Sequence, residues 1–86
     1  KDAYNAIAEF NKIKEIYETR LRLEQASKST LDLAQLQYLN GVIGYMDLLD
    51  AQRGYLDAQI GLSNAVRDKQ ISMVNLYKAL GGGWQE

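Results

Sequence analysis

An all-α fold, an antiparallel two-helix coiled-coil hairpin, follows from three features of this chain of 86 residues. Proline is absent, and the glycines gather mainly at two places, Gly41 and Gly44 in the middle and Gly81 to Gly83 near the end. Between those places Ala, Leu, Glu, Gln, Lys and Arg dominate, the residue types that cost a helix least. A seven-residue period runs through the second half, the mark of a left-handed supercoil rather than of a lone surface helix.

The first helix is expected over 2–39, where nothing strongly breaks it. Ala3, Phe10, Tyr17, Leu31 and Tyr38 share one heptad row, interrupted by Glu24. Ile16, Leu23 and Ala26 extend a second stripe, so the apolar face is wider than one partner helix needs. Ser27-Lys28-Ser29-Thr30 is a soft point at which Ser29 and Asp32 would cap a restarted helix, although one continuous helix is the preferred reading. A tip turn at 40–44 follows. Asn40-Gly41 suits a chain leaving a helix with positive φ, which makes Gly41 the C′ residue.

The second helix is expected over 45–80, with a glycine-rich C-terminal segment at 81–86. Each helix, at about 36 residues, would be roughly 54 Å long at about 1.5 Å per residue, beyond the usual globular length. One row of this helix reads Leu48, Tyr55, Leu62, Lys69, Leu76. The row three residues on reads Ala51, Ala58, Ala65, Ser72, Ala79, and every member is small. Large and small rows side by side make a seam that a partner helix can approach closely. Leu-Asp-Ala-Gln occurs at 49–52 and again at 56–59, one heptad apart. Gly54 and Gly61 are also one heptad apart, either marking a second close backbone contact or standing as two tolerated surface glycines. Gly81-Gly82-Gly83-Trp84 reads as a C-cap with the tryptophan folded back, not as a phosphate loop.

Composition excludes much chemistry. There is no cysteine and no histidine, which removes disulfides, thiolate chemistry, Cys/His zinc sites and histidine general bases. A net charge of −1 gives no electrostatic case for nucleic acid or an anionic membrane face. No apolar run reaches the roughly 18 residues a membrane helix needs, and the start does not read as a signal peptide. Lys at position 1 suggests a processed chain or a piece of a longer one. A chain this short buries only about 60% of its unfolded surface, so no deep catalytic cleft, no enzyme and no cofactor is expected.

Two groups of residues remain as candidates. Asp47 and Asp50 form a closely spaced carboxylate pair, at i and i+3 where the second helix opens. They read either as oxygen ligands for cations, which one chain supplies too sparsely, or as acidic residues complementing the helix dipole at about 0.3–1 kcal/mol each. Spacing alone favours the second. The tyrosines read as packing, with Tyr17, Tyr55 and Tyr77 in or beside the core and Tyr38 and Tyr45 flanking the turn.

The stretch YLNGVIGYMDLLDAQR at 38–53, the Ala-rich heptad helix after it, and LYKALGGGW at 76–84 together resemble the TolC-like outer membrane efflux proteins. The resemblance is strong from about Ala26 to Trp84 and extends over the whole chain. It implies a trimeric channel-tunnel whose β-barrel sits in the outer membrane and continues as a periplasmic α-helical barrel. An inner-membrane pump and a periplasmic adaptor would be its partners, and small molecules or proteins its cargo. This chain would supply a helical hairpin of that barrel, with the membrane strands lying upstream. Tyr38 and Gly41 would sit at the aperture, and Asp47 and Asp50 would give a carboxylate ring, a cation site, in the trimer. Some relatives carry a basic residue at the position of Ile43, so the latch of this chain would rest on other contacts. Leu48, Ala51, Tyr55, Ala58, Leu62 and Ala65 would carry the helix packing. A free-standing coiled-coil module for protein association is the alternative.

Overall fold

A computed structural model describes residues 2–81 as two α-helices, α1 over Asp2–Leu39 and α2 over Tyr45–Ala79. They run antiparallel, side by side, and no strand occurs among the described residues. The all-α hairpin read from the sequence is the fold observed. It is a rod of 64 × 20 × 14 Å with a radius of gyration of 19.1 Å, against about 12 Å for a compact domain of this length. No described helix is long and apolar enough to cross a membrane.

Ser27 to Thr30 do not interrupt α1, so no capping box restarts a helix at Ser29. Ser27 is half-buried toward the seam, and Lys28 pairs with Asp32 one turn on at 3.6 Å, satisfying the charges of this stretch within the helix. α2 ends at Ala79 and is capped by Leu80, whose N–H donates to the Leu76 carbonyl at 2.9 Å. Gly81 follows with φ +98 and donates to the Lys78 carbonyl at 3.1 Å. The expected fold-back of Trp84 lies outside the described residues.

Burial follows the heptads. On α2 the buried positions are Leu48, Ala58, Ala65 and Ser72, and Ala51, Tyr55, Leu62, Lys69, Leu76 and Ala79 are half-buried. On α1 Ala34 is buried, with Ala6, Phe10, Ile13, Tyr17, Glu24, Ser27 and Leu31 half-buried. The row of Phe10, Tyr17, Glu24 and Leu31 is therefore flanked by Ile13, Ser27 and Ala34, three residues further on, and by Ala6, which is one heptad before Ile13. Ile16, Leu23 and Ala26 lie outside this seam and are exposed. Tyr77 is not core either: one residue past the Leu76 row, it turns outward and is 55% exposed.

A single seam between two rods leaves much apolar surface uncovered. The chain exposes 6354 Å², where a compact monomer of 9.7 kDa exposes about 5,100 Å². Leu33 and Leu36 on α1 and Leu56, Ile60 and Val74 on α2 are all more than half exposed. The hairpin is thus apolar on its outside as well as along its seam.

Candidate functional site

The tip is built from backbone hydrogen bonds that its glycines permit. Val42 N–H donates to the Gln37 carbonyl at 2.8 Å and Gly41 N–H to the Tyr38 carbonyl at 3.0 Å. That pair of bonds is a Schellman motif, and Gly41 at φ +75 is its C′ residue. Asn40 adds a side-chain bond from Nδ2 to the Leu36 carbonyl at 2.9 Å. The chain then runs extended through Gly44 at φ −87, ψ 171, whose carbonyl accepts the Leu48 N–H at 3.3 Å to open α2.

Each tip aspartate has a local partner. Asp47 Oδ2 accepts the Gly44 N–H at 3.2 Å, the half of a capping box that a glycine N-cap allows. Asp50 pairs with Arg53 at 3.6 Å, both side chains about two-thirds exposed. Above them the rings of Tyr38 and Tyr45 meet at 5.8 Å and 53°, tying the end of α1 to the start of α2. Ile43 between them is half-buried. The turn therefore gathers Tyr38, Gly41, Asp47 and Asp50 at one end of the rod, with both carboxylates open to solvent. No group of three or more potential metal ligands occurs among the described residues.

Further along, two polar contacts cross the seam. Tyr55 Oη donates to Glu24 Oε2 at 2.9 Å, partly buried. The Lys69 ammonium lies 4.4 Å above the centre of the Tyr17 ring, a cation–π contact. The bond to Glu24 holds the Tyr55 hydroxyl above the ordinary phenol range, because ionising it would lose the donor and set a second anion beside the carboxylate. Glu24 is thus not a gap in the heptad row. Sequence reasoning missed both pairs, although each placed a charge and a tyrosine on seam rows of opposite helices.

The two heptad-spaced glycines differ. A Cβ at Gly61 would meet Arg20 Nη1 at 3.3 Å, so Arg20 of α1 lies across it. Gly54 has open space there and helps line a groove of about 220 Å³ with Leu23, Ala26, Ala51 and Tyr55.

The family model described as "Outer membrane efflux protein" matches residues 1–82. The chain is 30% identical over its whole length to the probable outer membrane lipoprotein SilC of Salmonella typhimurium, covering 19% of that protein. It is 39% identical over 64 residues, 74% of this chain and 13% of the relative, to outer membrane protein OprJ of Pseudomonas aeruginosa. Over its whole length it is 29% identical to the cation efflux system protein CusC of Escherichia coli, again covering 19%. The chain therefore spans less than one fifth of the length of these relatives. No solved structure matches.

Proposed function

This chain belongs to the outer membrane efflux protein family, and on that premise we propose that its 86 residues are one hairpin of the periplasmic helical barrel of an outer membrane channel. The channel is a trimer that exports small molecules or proteins, joined through a periplasmic adaptor to an inner-membrane pump. It is a conduit without chemistry of its own. The tip points to the periplasmic end, where Tyr38 and Gly41 shape the aperture. Asp47 and Asp50 from three copies ring it, and cations collect there. Cargo is set elsewhere, since relatives matched by this same segment are named for cation efflux and for toluene efflux.

The observation that carries the reading is the tip itself, where a glycine-built turn leaves two carboxylates exposed within one helical turn of each other. In a trimer six such groups would face one constriction, and a ring of carboxylates favours cations and lets divalent ions block. Arg53 offsets part of that charge, and Ile43 offers none. The test is single-channel conductance of the full-length protein carrying Asp47→Asn and Asp50→Asn together. Asparagine at 47 keeps an oxygen for the Gly44 N–H, so the change removes charge and leaves the cap. Loss of cation selectivity and divalent block is expected. Unchanged selectivity and block would reduce both residues to helix-start roles.

A further inference from the structure

The seam contains one row that carries no information about register. Ala51, Ala58, Ala65, Ser72 and Ala79 are almost interchangeable, and the repeated Leu-Asp-Ala-Gln makes the flanking surface of α2 repeat at the same interval. Sliding α2 along α1 by one heptad would return a small residue to each small site within the row, so the row itself does not oppose the slip. A seam of that kind is prone to alternative registers unless something polar distinguishes them.

The neighbouring row does distinguish them. It reads Leu48, Tyr55, Leu62, Lys69, Leu76, so apolar and polar members alternate heptad by heptad. A one-heptad slip in either direction brings a leucine, 48 or 62, to the place of Tyr55. The half-buried Glu24 carboxylate then loses the hydroxyl that meets it at 2.9 Å. The same slip brings Leu62 or Leu76 to the place of Lys69, removing the ammonium 4.4 Å above the Tyr17 ring. Both contacts fail together, in both directions, and Glu24 is left as a partly buried charge with no donor, a costly arrangement.

We propose that the Glu24–Tyr55 hydrogen bond and the Tyr17–Lys69 contact act as a two-point register lock, fixing the axial position of α2 on α1 against a one-heptad slip that the small-residue seam would accept. The turn alone does not suffice for this, because its bonds are local and a slip needs only a turn or so of helix at either side to unwind into a longer loop. Tyr55 stands beside the uniform alanines Ala51 and Ala58, and Lys69 two heptads further from the tip, next to Ser72.

The test removes the lock while making the seam more apolar. Glu24→Leu and Lys69→Leu are introduced together in the intact assembled protein. Spin labels are placed on cysteines at Asn11 and Gln52, exposed positions far apart along the rod on opposite helices. Labelled protein is diluted with unlabelled copies so that only distances within one chain are read. The parent should give a single distance. The double variant should keep its helix content and show a second population displaced by about 10 Å, the rise of seven helical residues at about 1.5 Å each. Glu24→Gln, which retains an acceptor for Tyr55, should stay single. A double variant that remains single at the parent distance overturns the proposal, since the tip would then set the register unaided. A second population in Glu24→Gln as large as in the double variant would overturn it equally, because loss of charge rather than loss of the partner would be responsible.

Discussion

The tip and the seam join the same two helices by opposite means. At the tip the contacts are short in sequence: backbone bonds from Gly41 and Val42, a side-chain bond from Asn40, and Asp47 on Gly44. In the seam the partners lie dozens of residues apart, and what matters is the size and polarity of side chains on facing rows, as between Glu24 and Tyr55. The tip depends on which φ values the chain can adopt. The seam depends on how close two rods can come. Substitutions that are harmless in one region should be damaging in the other, and that asymmetry can be measured.

The largest effect is expected in the seam. Ala65 is 3% exposed and Ala58 5%, and together they set the distance of closest approach. Ala65→Leu or Ala58→Leu forces several extra methylenes into that contact and should cost about 1–3 kcal/mol each, read from the midpoint of urea unfolding. The same leucine placed at Gln52, exposed on the same helix, should change the midpoint little. Equal effects at 52 and 65 would mean that the small row is not the contact surface.

The next effect belongs to the tip. At Gly41 a Cβ would meet nothing within 4 Å, so Gly41→Ala adds no clash, and only the φ of +75 opposes it. A left-handed residue with a Cβ costs about 1–2 kcal/mol, so Gly41→Ala should lower stability by roughly 1 kcal/mol. Gly41→Asn should recover part of the loss, because asparagine tolerates that region better. A Gly41→Ala protein as stable as the parent would show that the tip yields to another turn.

These two regions were also unequally legible. On α2 the heptad period and burial coincide, because its outer face is broken by Gln52, Arg53, Asp57 and Asn64 and only one face is continuous. On α1 the period could not choose between faces. Ile16, Leu23, Leu33 and Leu36 make its outside as apolar as its inside, and the inner row has one large apolar residue, Ile13, among Ala6, Ser27 and Ala34, too few to stand out. Gly41 as the end of α1 was readable, since Asn-Gly after a long helix has few other uses. The local partners of Asp47 and Asp50 were half readable: helix-start position predicts a cap, whereas the Asp50–Arg53 pair depends on side-chain rotamers. The cross-seam pairs required knowing which rows face each other, which one helix's sequence does not contain.

The smallest effect sharpens the seam side of the comparison through pH. The Tyr55 hydroxyl donates to Glu24, and Asp32 adds negative potential, so its pKa lies above the unfolded value of about 10, while Gln59 pulls weakly the other way. A group whose pKa is raised by folding binds its proton more tightly in the folded state. Its contribution is therefore full below about pH 10 and disappears as pH rises through the folded value. The measurement is the urea midpoint of the parent and of Tyr55→Phe across that range. Comparing the two proteins at each pH isolates the hydroxyl that distinguishes them. The parent should hold a constant margin over Tyr55→Phe from neutral pH up to about pH 10, then lose it as the phenolate forms. A margin that persists unchanged into strong alkali would mean that the hydroxyl's bond to Glu24 does not stabilise the hairpin, and the seam would then rest on side-chain size and on the Lys69–Tyr17 contact.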